Sequence, residues 1–124
     1  MDDFIKTTFE RLRASKERRN AYVSAQIDVL IPYQIRSLRK QFGLEQDDLA
    51  KLAGMVPASI SRLEKVGNRA SIETLERIAN ALDVALIVKF VSFTELVRWT
   101  DAFAPDRFSV PTFSTELESS EEPS

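Results

Sequence analysis

The stretch that decides the fold is DDLAKLAGMVPASISRLEKVG, residues 47–67. Its apolar residues recur at helical spacing, yet Gly54 and Pro57 interrupt it three positions apart. Glycine takes positive φ without steric penalty and so ends helices, while proline fits the first turn of a new one. The stretch therefore predicts two short helices, over 46–53 and 57–66, joined by a tight turn. Gly43 and Gly67 fall at the two outer ends of this pair, after a helix ending at Phe42 and after the second short helix.

Working outward, Ser71 is placed to N-cap a third helix. Its buried stripe is Ile72, Leu75, Ile78, Ala79 and Leu82, and Asp83 ends it. Upstream, Phe4, Ile5, Phe9 and Leu12 give an amphipathic helix over 3–19, followed by a second apolar set at Tyr22, Val23, Ile27, Leu30 and Ile31. Pro32 allows either a kinked continuation or a fresh start, with Ile35, Leu38 and Phe42 beyond it. Downstream, VALIVKFV (84–91) switches to β-branched and aromatic residues and reads as a strand. Ser92 and Glu95 form a capping-box pattern opening a helix through about Trp99. Past Asp101 the chain reads as loop, with Pro105 and Pro111, and its ending TELESSEEPS (115–124) as an acidic disordered tail.

The 124 residues fit one small domain with arms, and their composition removes most chemistry. With no Cys and no His there are no disulfides, thiolate or imidazole metal sites, nucleophilic cysteine or His-based acid–base catalysis. Neither a G-x-S-x-G turn nor a Gly-rich phosphate loop occurs. The expectation is a binding protein, not an enzyme, without metal or cofactor. The longest apolar run, Val84–Val88, is far short of the ~20 residues a membrane helix needs. MDDFIKTTFERLR lacks the pattern of a signal peptide, so a cytoplasmic location is expected. Net charge is −2, but residues 101–124 hold one Arg against six acids, −5, which leaves the first hundred residues at +3. The body is mildly basic and the acidity is a tail.

Two short helices joined by a tight turn, flanked by further helices, are one way to place a helix in the DNA major groove. Here the text resembles a known family. LRKQFGLEQDDLAKLAG (38–54), ISRLEKVGN (60–68) and the S-x-x-T-L-x-x-I-A-x-A-L pattern of 71–82 are similar to the Cro/CI-type helix-turn-helix repressors, over residues 35–83 as a whole. The resemblance implies a mainly α, lambda-repressor-like domain over 32–83. Around it lie a helical arm at 1–31, a strand and short helix for dimerisation at 84–101, and a loop and acidic tail at 102–124.

The resemblance also assigns roles. Base-edge contacts fall to Pro57, Ala58, Ser61 and Arg62. Arg62 is the main reader, suited to guanine, and Ala58 can meet a thymine methyl. Gln46, Ser59, Lys65, Asn68 and Arg69 are expected on phosphate, which orients without specifying. Arg39 and Glu64 match a structural ion pair joining the first and third helices. Ile60 and Leu63 should face the core with Leu49, Leu52 and Leu75. Three positions depart from the family pattern: Glu45 and Val56 stand where Ser or Thr caps are usual, and Ala70 where the loop often has Pro.

A lone apolar strand cannot satisfy its own backbone, and the chain offers it only 109–113, which contains Pro111. Pairing of Leu86, Ile87, Val88 and Phe90 with the same strand of a second copy is expected, giving a homodimer covered by Phe93, Leu96, Trp99 and the N-terminal helix; the alternative is that these pack within one subunit. The implied function is a double-stranded-DNA-binding repressor on a palindromic operator. The alternative is the antitoxin of a toxin–antitoxin pair, with Asp2–Ile31 or the acidic tail as the toxin-binding arm. No small-molecule substrate is implied, and no segment is large enough for a separate ligand-sensing domain.

Overall fold

The computed structural model describes residues 3–119, and every regular element in it is helical. In chain order these are α1 (Asp3–Arg13), α2 (Lys16–Gln41), α3 (Gln46–Ala53), α4 (Pro57–Leu63), α5 (Ile72–Leu82), α6 (Phe93–Ala102) and α7 (Phe113–Ser119). None of them is long and apolar enough to cross a membrane.

Ile5, Thr8 and Leu12 form the buried face of α1, and the Thr8 hydroxyl donates to the Phe4 carbonyl at 2.8 Å. The helix stops at Arg13, short of the residue-19 end that its periodicity predicts. Ser15 is the reason: it is extended, and its hydroxyl accepts the Arg18 N–H at 3.1 Å, which starts α2.

α2 then runs 26 residues, about 39 Å. It passes through Pro32, so the helix continues where the sequence left continuation or a fresh start open. Pro32 is buried and has no N–H to give the Asp28 carbonyl four residues back. That carbonyl instead accepts the Gly67 N–H at 3.0 Å, from the loop after α4.

Two apolar clusters share α2. The larger gathers Ile35, Leu49, Ala50, Ile60, Ile78 and Leu82 from α2, α3, α4 and α5. The smaller joins Ile5, Leu12 and Val97 of α1 and α6, with Phe9, Tyr22 and Phe93 against it. The N-terminal helix and α6 therefore pack on each other within one chain.

The expected strand over 84–91 does not form in the single chain. A strand exists only through its ladder, and the 109–113 segment is engaged elsewhere. Val110 exchanges both backbone groups with the Gln41 side-chain amide (2.7 and 2.9 Å), and the Phe113 N–H donates to the Asp83 carbonyl at 3.0 Å. Leu86, Ile87, Val88, Phe90 and Val91 are left exposed. With Ser37 Oγ donating to the Pro105 carbonyl at 2.8 Å, residues 105–110 are fastened along α2 and Phe113 to the end of α5, and α7 follows where the sequence reads as loop and tail. Of the disorder expected over 115–124, residues 120–124 lie outside the described residues.

Leu52 is also placed differently from expectation. It is 57% exposed, whereas Leu49 is fully buried. The inward face of α3 is centred between Leu49 and Ala50, and at 3.6 residues per turn Leu52 falls roughly 100° from it. Accordingly, Leu49→Ala should lower the unfolding free energy by about 2–5 kcal/mol and Leu52→Ala by less than about 1 kcal/mol. Equal losses for the two variants in urea titrations would contradict this placement.

Candidate nucleic-acid interface

The turn between α3 and α4 is built by Gly54 at φ 67°, with the Met55 N–H on the Ala50 carbonyl at 2.8 Å. Val56 provides no side-chain cap, and Pro57 supplies a preset first turn instead. Ile60 is fully buried and Leu63 packs against the larger core, which fixes the rotation of α4. The opposite face then carries exposed Pro57, Ala58 and Arg62, with Ser59 and Ser61 half-buried beside them.

α4 is locked at its C-terminal end. Glu64 accepts from Arg39 Nε at 2.6 Å and from Arg39 Nη2 at 2.9 Å, and both side chains are almost wholly buried. Arg39 Nη1 donates to the Leu44 carbonyl at 2.8 Å, and Gln46 Nε2 reaches Glu64 at 3.3 Å. One guanidinium thus ties α2, the turn before α3 and the end of α4 together. Its hydrogen bonds to Glu64 raise the Arg39 pKa above the ordinary value; burial opposes this, and the charges of Glu64 and Glu45 add to the rise. The pair is a fixed part of the scaffold, and it holds Gln46, the expected phosphate contact, on the protein side.

Ser59, Arg62, Asn68 and Arg69 surround one shallow depression of about 210 Å³. Arg62 Nη2 lies 3.4 Å from Ser59 Oγ and is otherwise open to solvent. Lys65 and Asn68 are exposed, with the Asn68 N–H on the Lys65 carbonyl. Arg69 is engaged by α2: its Nε pairs with Asp28 at 2.8 Å, and its Nη2 donates to Ser24 Oγ at 2.7 Å. Asp28 and Ser24 were not singled out by the sequence reading. The available signal was Pro32, which leaves the carbonyl four residues earlier without its helical donor.

Electrostatics divide this face. Glu45, Asp47 and Asp48 crowd the start of α3, where the Asp48 carboxylate accepts the Glu45 N–H at 2.9 Å. Acids there favour the helix dipole but repel a phosphate chain. Arg62 in the last turn of α4 and Lys65 just beyond it supply the opposite preference.

Removing one member of the buried pair leaves an uncompensated charge. Glu64→Ala should therefore destabilise by about 3–5 kcal/mol, with Arg39→Met/Glu64→Leu recovering most of the loss. Urea unfolding of both variants measures it, and a double variant no better than Glu64→Ala would refute the account.

A helix-turn-helix family model matches residues 35–88, the span from the second half of α2 through α5 into the exposed segment. No curated protein and no solved structure matches the chain. Over residues 35–88 the chain is similar to the Cro/CI-type helix-turn-helix family of DNA-binding transcription regulators.

Proposed function

We propose that the chain is a repressor that reads a palindromic operator as a homodimer. The observation that carries this reading is α4, locked by Arg39–Glu64 and Ile60 with Arg62 open on its outer face. Arg62 reaches guanine O6 and N7 in the major groove, Ala58 and Pro57 pack on base edges, and Ser61 bonds directly or through water. Ser59, Lys65 and Asn68 contact phosphate, with Gln46 at the start of α3. Arg69 adds a phosphate contact when it exchanges Asp28 for DNA.

The second copy is supported by residues 84–91. Ile87 is 78% exposed and Phe90 fully so, next to Leu86 and Val88. Antiparallel pairing about a two-fold axis satisfies the backbone of both copies and covers these side chains. It also presents two recognition helices about 34 Å apart, one turn of DNA.

One experiment tests both halves: fluorescence anisotropy on the gene's own upstream DNA across a salt series, with solution masses, for wild type, Arg62→Ala and Ile87→Asp. Arg62→Ala should lose about 1–3 kcal/mol on operator DNA and little on random DNA. Ile87→Asp should be monomeric and lose operator affinity, while wild type is a dimer at tens of micromolar. Equal losses on both DNAs would make Arg62 a phosphate contact, and a monomeric wild type would end the dimer reading.

One feature favours the antitoxin reading instead. α7 buries no residue: Phe113 and Leu117 lie one turn apart, both exposed, with Glu116 and Glu118 alongside. An acidic amphipathic helix of this kind suits a basic protein partner. A neighbouring gene for a small basic protein, toxic alone and rescued by this chain, would select that reading; no rescue would exclude it.

A further inference from the structure

We propose that the seam between α2 and residues 105–110 binds a phosphate-bearing small molecule of nucleotide size, a site separate from DNA recognition. Tyr33, Arg36, Ser37, Lys40 and Gln41 recur at three- and four-residue spacing and share one face of α2. The returning chain is held on that face by neutral groups: Ser37 to the Pro105 carbonyl, and Gln41 to both backbone groups of Val110. Those bonds use the polar residues and leave the cations open.

The result is a groove of about 660 Å³ containing Arg36, Lys40 and Arg107. That volume is within the ~300–1,000 Å³ of small-molecule sites. Among the described residues no carboxylate is ion-paired with any of the three cations. Asp106, also in the lining, is a single negative charge against three positive ones. Arg36 and Lys40 stand four apart on a helix, where like charges repel, and the returning chain adds Arg107 to them. A multivalent anion reverses that repulsion, and two guanidinium forks with one ammonium are the donors that phosphate oxygens take best. Tyr33 and Phe108 supply an apolar wall for a planar ring. The groove occupies a different face of α2 from Arg39, so an occupant need not disturb the pair that locks α4. No separate sensing domain is required, because the site is made where the chain folds back on its own spine.

Titration calorimetry of the full chain with ATP, inorganic pyrophosphate and adenosine tests this, using wild type, Arg36→Ala/Lys40→Ala, Arg107→Ala and Arg62→Ala. All four substitution sites are exposed, and thermal unfolding checks that each variant is folded. ATP should bind wild type and adenosine should not. Each groove variant should weaken ATP at least about tenfold. Arg62→Ala should leave ATP binding unchanged, and the groove variants should bind operator DNA as wild type does. Pyrophosphate as tight as ATP would assign recognition to phosphate alone; weaker pyrophosphate would add the ring contact. The proposal is overturned if neither anion binds at millimolar concentration. It is also overturned if Arg62→Ala weakens ATP as much as the groove variants do, or if the groove variants lose DNA affinity in parallel.

Discussion

The fold depends on α2 passing unbroken through Pro32. A proline inside a helix removes one hydrogen bond and crowds the carbonyl of the residue four back, usually at about 3 kcal/mol. Here the residue is buried, and the carbonyl it leaves free, Asp28 O, is filled by the Gly67 N–H. The defect in one element becomes the anchor of another. The Asp28 side chain adds Arg69, so the loop leaving α4 is held on α2 at two points. Because α2 continues, its first half can hold the α1–α6 cluster while its second half holds the helix-turn-helix core.

Arg39–Glu64 does the complementary task at the other end of the motif. Burying a charge pair is seldom a route to stability, and an apolar replacement of equal volume can serve as well. What the guanidinium adds is direction. Its planar fork meets the carboxylate twice and spends a third donor on the Leu44 carbonyl. That fixes the distance and rotation between α2, the turn into α3 and the end of α4, and a helix that inserts into a groove needs that rotation more than it needs stability.

Much of the helical order was legible because its signals are local. Gly54, Pro57, Ser71 and Ser92 each act through their own φ or their own hydroxyl, and the helix boundaries follow them. The failures are tertiary. Periodicity across 3–19 is real, yet one serine hydroxyl at Ser15 outweighs it. Leu52 matches an apolar pattern, but α3 is only eight residues long and its inward arc has no room for that position. The β-branched run at 84–91 has strand propensity without a ladder in the single chain, where Gln41 and Asp83 hold 109–113, the weak partner the sequence offered it. At the candidate site, sequence nominated the residues on α4 but could not say that Gln46 and Arg69 would be held by protein groups.

That last point bears on how such a helix discriminates between sequences. Pro57 and Ala58 occupy the first turn of α4, where a Gln or Asn would otherwise offer two hydrogen bonds to adenine. Arg62 and two serine hydroxyls are the donors that remain on the helix. One bidentate arginine is worth about 1–3 kcal/mol against a wrong base, too little alone to set an operator apart from the mass of competing sites. Two copies acting together double that figure in free energy and so square it in selectivity. Fixed spacing between them rejects sequences that carry only one half-site. On the dimer proposed above, a reader this sparse is only as specific as its assembly, and the exposed apolar segment at 84–91 then serves recognition alongside α4. On the same reading the remaining discrimination comes from DNA shape, through the phosphate contacts proposed for Lys65 and Asn68.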